Sequence, residues 1–215
     1  MSETRSKNPL VWIDCEVRKP DMFDFCKLFS RKCSQMTGLD LKNDEIIEIA
    51  CIVTNWNLEP IDLPGFEVTI GQTGEKMASM NPWCVEHHGK SGLTAKVLAS
   101  KTTHQEAAEQ LLAYIKARVP QARTALLAGN SVHADRAFFN AEPAYAEAMN
   151  HLHYRILDVS SIKEVVRRFS PEDVLARIPK KKKAHTAMED ILESIAEMRY
   201  YTKEIFQKNT DAETR

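Results

Sequence analysis

Asp14 and Glu16 stand two residues apart in the apolar run Leu10-Val-Trp-Ile-Asp-Cys-Glu16. Such a run reads as a strand, and a spacing of two on a strand sends both side chains out of one face. Two carboxylates side by side repel unless something positive lies between them, and a divalent metal is the usual answer. Two further segments carry acids. Asn130-Ser-Val-His-Ala-Asp135 follows a strand-like stretch through Gly129 and enters a helix, which sets Asp135 near a strand's carboxyl end. His185-Thr-Ala-Met-Glu-Asp190 opens the final helical stretch. There Ile191, Leu192, Ile195 and Met198 supply the apolar faces, so Asp190 in the first turn can point towards a neighbouring site. His185, about one turn upstream, reaches the same region. Taken singly, each has a plainer role: a polar strand face for Asp14 and Glu16, a helix N-terminal charge for Asp190, a surface histidine for His185.

The elements that must position these residues follow from hydrophobic periodicity. Ile46–Val53 reads as a long buried strand, and Phe66–Ile70, ended by Gly71, as a third. Three strands before any long helix predict an antiparallel meander. Thr103 and Glu106 fit a capping box, with Ala107, Leu111, Leu112 and Ile115 on one face of the helix and Pro120 beyond it. The order then alternates. Thr124–Ala128 is strand-like, and Asp135–Met149 is mostly helical with a break at Pro143. Arg155–Val159 is strand-like, Ser160 caps a helix over Ile162–Phe169, and a last helix runs from Thr186 to Phe206. Strands first and βαβα after them imply an α/β fold with a mixed sheet and helices on its faces.

Composition narrows the function. The 215 residues suit one domain, 43% hydrophobic content supports a real core, and 27% charged residues with 7 glycines argue against disorder or a fibre. Lys plus Arg number 29 against 30 Asp plus Glu, a net charge of -1, which disfavours a stable binder of long duplexes but leaves short nucleic acids open. No run approaches the roughly 18 apolar residues of a spanning helix, so no membrane role is expected. The first eight residues lack a signal-peptide core, and Glu3 counts against a transit peptide. Five cysteines, an odd number without a Cys-x-x-Cys pair, predict a reduced intracellular protein in which Cys15 and Cys51 are small apolar strand residues. Lys180–Lys183 is either a solvated loop or an attractor of phosphate.

Together, Asp14, Glu16, Asp135, His185 and Asp190 resemble the acidic set of the DEDD superfamily of 3′→5′ exonucleases, in the variant with a histidine five positions before the last Asp. The segments Trp12-Ile-Asp-Cys-Glu16, Met36-Thr-Gly-Leu-Asp40, Asp44-Glu-Ile-Ile-Glu-Ile-Ala50, Gly129-Asn-Ser131, His153-Tyr-Arg-Ile-Leu-Asp-Val-Ser160 and His185-Thr-Ala-Met-Glu-Asp190 look like the oligoribonuclease family, in its order. The resemblance implies a ribonuclease H-like exonuclease fold with a mixed five-stranded sheet flanked by helices. It implies a homodimer that removes nucleotides from the 3′ end of very short single-stranded RNAs. It also implies two divalent metal ions, Mg²⁺ or Mn²⁺, held by Asp14, Glu16, Asp135 and Asp190 around the scissile phosphodiester. His185, with an ordinary histidine pKa of about 6.5, would take a proton from the attacking water.

By the same resemblance Trp83 stacks on a terminal base and Leu39 wedges between bases, although Trp83 after Asn81-Pro82 also suits a partly buried loop anchor. His88 aligns with a histidine near the substrate, and His87 reads as incidental. Ser131, Tyr154, Arg155 and Ser160 match positions that contact the 5′ phosphate, with Tyr154 and Arg155 reaching across from the partner subunit. A closed phosphate cap explains a preference for dinucleotides.

The family runs from Asp-x-Glu directly into Met-Thr-Gly-Leu, whereas here residues 17–35 intervene. Excising them joins Glu16 to Met36 without a scar. The segment reads as a lineage-specific loop or as a translated intron, because valine codons begin with GT and glutamine can be encoded by CAG. The expected organisation is a flexible N-terminus at 1–8, one exonuclease domain at 9–207 with the insertion at 17–35, and a flexible C-terminus at 208–215. A non-catalytic oligonucleotide-binding homodimer is the alternative if the insertion disrupts the metal site. Cytoplasm and mitochondrion are both compatible with the sequence.

Overall fold

A computed structural model describes residues 7–18, 40–180 and 186–207. Leu39, His185, residues 19–35 of the inserted segment, most of the lysine run and most of both terminal segments lie outside the described residues.

Three strands open the chain: β1 (Leu10–Arg18), β2 (Glu45–Thr54) and β3 (Phe66–Thr69). They form the expected antiparallel meander. Two shorter strands, β4 (Leu126–Gly129) and β5 (Ile156–Asp158), add in parallel, giving the order β3-β2-β1-β4-β5. Val17 and Arg18, the first two residues of the inserted segment, continue β1 past a bulge after Glu16 and pair with Ile46 and Glu45. Arg18 is buried there, 3.5 Å from the Glu45 carboxylate.

Between β3 and β4 lie α1 (Gly74–Ala78), α2 (Pro82–Lys90), α3 (Leu93–Ala99) and α4 (His104–Arg118). The first three were not anticipated. They bury Met77, Met80, Cys84, Leu93 and Val97 with Ile47 in a small cluster of their own. The predicted box starts α4: Thr103 caps Glu106, whose side chain reaches back to the Thr103 N–H. After β4 come α5 (Val132–Ala141), a 3₁₀ turn at Pro143–Tyr145 and α6 (Ala146–His151), so Pro143 does break the stretch. Next are α7 (Val159–Phe169), α8 (Glu172–Ala176) and α9 (Ala187–Tyr201), the last continued by a π-helical turn over Thr202–Gln207.

Strand alternation divides the core. Val11, Ile13, Ile49, Cys51 and Val53 pack with Leu111, Ile115, Phe138 and Phe139 of α4 and α5. Trp12, Ala50, Ile52 and Ala128 pack with Val166, Ile191, Ile195, Met198 and Tyr201 of α7 and α9. Each face becomes dry only when its helices dock, and burial at roughly 25 cal/mol per Å² of apolar surface drives that docking. Among the described residues no helix is long and apolar enough to cross a membrane.

Candidate active site

Asp14 and Glu16 continue the alternation set by Trp12, so they leave the face that α9 covers. Opposite Asp14 on β2 stands Ala50, whose small side chain leaves room. Thr186 caps α9 by accepting from the Glu189 N–H, and Asp190 follows in the first turn. Carboxylate oxygens of Asp14, Glu16 and Asp190 lie within 4.8 Å of one another, each side chain half-buried. Three acids this close, all hard oxygen donors, match what a magnesium-type divalent ion takes as ligands.

Asp135 approaches from the sheet's flank. Its Oδ1 accepts from the Cys15 N–H at 3.1 Å and from the Cys15 thiol at 3.2 Å. Burial pushes the Asp135 carboxyl up to about 6, against those hydrogen bonds, which pull it down. Burial and the neighbouring carboxylates push the Cys15 thiol up, so it stays protonated and can donate. Nearby, Glu48 pairs with Glu16 across the strands, and burial raises its carboxyl while Lys96, 3.5 Å away, opposes the rise.

A polar network joins the acids to the candidate phosphate residues. Ser131 takes a left-handed conformation, φ 52°, at the start of α5, and its N–H donates to Asp158 Oδ1 at 3.0 Å. The same oxygen accepts from the Ser160 N–H at 2.9 Å. Asp158, rather than Ser160, therefore caps α7, because its side chain can reach two residues on to an exposed helix N–H. Ser131 Oγ lies 3.0 Å from Ser160 Oγ, and Ser160 Oγ lies 3.3 Å from Asn130 Oδ1. Asn130 donates to the buried Ser194 hydroxyl at 2.7 Å, which donates to the Asp190 carbonyl at 2.7 Å. The two predicted phosphate serines are thus tied to the helix that carries Asp190.

On α2, Asn81 caps and Pro82 occupies the first turn, so the helix starts rigidly. Trp83 is exposed there. The ring of His87 stacks on it with centroids 3.9 Å apart, 19° from coplanar. His88 is buried, with Nε2 3.4 Å from the Val17 carbonyl, and so seats α2 against β1 one residue beyond Glu16. Tyr154 and Arg155 sit together before β5, the guanidinium 5.4 Å from the ring centroid, and Tyr154 is 63% exposed.

The structure brings Asp14, Glu16 and Asp190 into one cluster and sets Asp135 against the residue between the first two. Ser131 and Ser160 meet. Trp83 and the Tyr154–Arg155 pair lie on other elements and face solvent. Sequence reasoning missed Asn130, Asp158 and Ser194, whose neighbours in sequence were already marked. It also passed over His87, whose spacing of four from Trp83 is the helical contact distance.

An exonuclease family model of the RNase T type matches residues 35–198, beginning where the inserted segment ends. A mitochondrial oligoribonuclease of Saccharomyces cerevisiae is 47% identical over 205 residues, 93% of this chain and 68% of that protein. A mitochondrial oligoribonuclease of Mus musculus is 46% identical over 181 residues, 84% of this chain and 74% of that protein. Escherichia coli exonuclease I in complex with a dA16 oligonucleotide superimposes with TM-score 0.64 at 14% identity, over 97% of this chain. The chain spans 43% of that exonuclease's length, and the likeness establishes the shared fold.

Proposed function

The chain belongs to the oligoribonuclease family of exonucleases, and we propose that it hydrolyses short RNAs, dinucleotides above all, from the 3′ end to 5′-mononucleotides. The observation that carries this is the cluster of Asp14, Glu16 and Asp190, oxygens within 4.8 Å, on the end of β1 and the first turn of α9. Those three acids, with Asp135 beside them, would hold two divalent ions, Mg²⁺ or Mn²⁺, which when bound supply positive charge to the oxygens of a phosphodiester.

The chain's own residues do the rest. His185 immediately precedes Thr186, the cap of α9, and serves as the base that takes the proton from water. Trp83 stacks on a terminal base and Leu39 wedges beside it. His88, Ser131 and Ser160 supply polar contacts to the substrate. Tyr154 and Arg155 close over the 5′ phosphate of a partner subunit's substrate in a homodimer. Their solvent-facing position supports that reading, and the bidentate fork of Arg155 suits a phosphate. In this reading one exonuclease domain spans residues 9–207, with the segment 17–35 inserted between Glu16 and Met36. The names of the yeast and mouse relatives support a mitochondrial location, with the cytoplasm as the alternative.

The test incubates the purified protein with a 5′-labelled RNA dinucleotide and with a longer oligomer, in Mn²⁺ or in EDTA, beside a variant lacking residues 17–35. Both forms are expected to cleave, to prefer the dinucleotide and to stop in EDTA. Cleavage by the shortened form alone makes the segment disabling. Cleavage by neither rejects the assignment.

A further inference from the structure

Trp83 has two indole faces; among the described residues a ring stacks on one of them, and the side chain stays 51% exposed. The imidazole of His87 lies over it at 3.9 Å, nearly parallel. His87 Nδ1 is 2.8 Å from the Trp83 carbonyl oxygen. A carbonyl only accepts, so Nδ1 carries the hydrogen and the ring is held by that bond as well as by the stack. The helix beneath is fixed at its start: Asn81 accepts from the Cys84 N–H at 2.9 Å, and the Cys84 side chain is buried beneath. An exposed indole on a helix surface otherwise samples several rotamers.

We propose that His87 is a positioning residue for Trp83: it occupies one face of the indole and leaves the opposite face as the single platform for a substrate base. The proposal rests on the assignment of Trp83 as the base platform. A bound oligonucleotide would then form a three-layer stack of imidazole, indole and base. His87 touches no reacting atom. It acts on affinity by ordering Trp83 before the substrate arrives, and ordering one side chain in advance is worth about three- to tenfold in affinity.

The experiment measures kcat and KM for an RNA dinucleotide with wild type, Trp83→Ala, His87→Ala, His87→Gln, His87→Phe and the Trp83→Ala/His87→Ala double variant. His87→Ala and His87→Gln are expected to raise KM about three- to tenfold at unchanged kcat. His87→Phe, which restores a flat ring without the hydrogen bond, is expected to bring KM back to within about twofold of wild type. The double variant should be no weaker than Trp83→Ala, because His87 acts only through the indole. A raised KM in Trp83→Ala with no change in His87→Ala overturns the proposal and leaves the platform standing. Additive losses in the double variant overturn it by giving His87 a contact of its own. A fall in kcat in His87→Ala overturns it by making the residue part of the α2 scaffold. An unchanged KM in Trp83→Ala removes the platform and the proposal with it.

Discussion

Asp135 Oδ1 accepts two hydrogen bonds from one residue, the backbone N–H and the thiol of Cys15, at 3.1 and 3.2 Å. The parallel pairing of β1 with β4 ends at Trp12 opposite Ala128. Beyond that point the N–H of Cys15 on this side of β1 has no strand partner, and the carboxylate stands where one would have been. The acid therefore fastens α5 to the strand segment that carries Asp14 and Glu16. It does so while half-buried, in a place where desolvation favours its neutral form.

That position separates fold from chemistry in an Asp135→Asn variant. Asparagine keeps an oxygen for the Cys15 N–H and removes a charge that burial disfavours. The melting temperature is expected to stay within about 3 °C of wild type. Turnover on an RNA dinucleotide is expected to fall by more than the roughly ten- to hundredfold that disturbing an outer partner costs, because Asp135 is read as a ligand of the ions themselves. Calorimetry beside a turnover assay checks both. A melting temperature that falls in step with activity would make Asp135 purely structural.

Gly129 is required by space rather than by backbone angle. A Cβ there would meet the Ile13 carbonyl oxygen at 3.1 Å and the Val132 side chain at 3.2 Å. Ile13 sits in the middle of β1, pinned by pairing with Cys51, and cannot yield cheaply. Gly129→Ala is expected to cost about 1–3 kcal/mol, as overpacking does, which lowers the melting temperature by several degrees. Because Ile13 precedes Asp14, turnover measured well below that melting temperature should fall as well. A variant as stable and active as wild type would show that β1 can shift without disturbing its acids.

The sheet was legible because its long strands are apolar runs and the period of two fixed which face each acid leaves. Asp14 and Glu16 followed from that period, and Asp190 from its place behind the cap of α9. The three short helices before α4 were not legible. Their apolar residues, Met77, Met80, Cys84, Leu93 and Val97, are too scattered to show a helical period and gain meaning only against Ile47. The cap of α7 was misplaced from Asp158 to Ser160, since both are good capping types and only the fold shows whose oxygen reaches the orphan N–H. Asn130 and Ser194 were invisible for a related reason: their bond joins residues 64 apart in sequence.

Asp62 gives the fold a pH dependence away from the acids. A hydrogen bond from Arg118, aided by one from the Tyr114 hydroxyl, holds its carboxyl below the usual carboxylate range. A carboxyl whose folded pKa is depressed adds stability above its ordinary value of about 3.9 and loses it as pH falls through the folded value. Asp62→Asn is therefore expected to melt about 1–4 °C lower than wild type between pH 5 and 7, since a partly exposed pair contributes no more than about 1 kcal/mol. The difference should begin to narrow below about pH 4 and close only as pH falls through the depressed folded value. Melting curves from pH 7 down to pH 2 decide it, and a gap that stays constant across that range would trace the loss to packing instead of charge.

Arg155 tests whether the site is built from two chains. A guanidinium on a 5′ phosphate makes charge-assisted bonds, so Arg155→Ala is expected to raise KM about tenfold or more for a 5′-phosphorylated dinucleotide. The 5′-hydroxyl dinucleotide should be nearly unaffected. Mixing then distinguishes the source of the contact. In a heterodimer of Arg155→Ala with Asp14→Asn, the subunit with intact acids receives its arginine from the other chain if the contact crosses the interface. Equal mixing after dissociation gives half heterodimers with one working site each, so about a quarter of wild-type activity should return at low substrate. If Arg155 serves its own subunit, every site in the heterodimer lacks either the arginine or Asp14, and the mixture should show no gain over the average of the two parents.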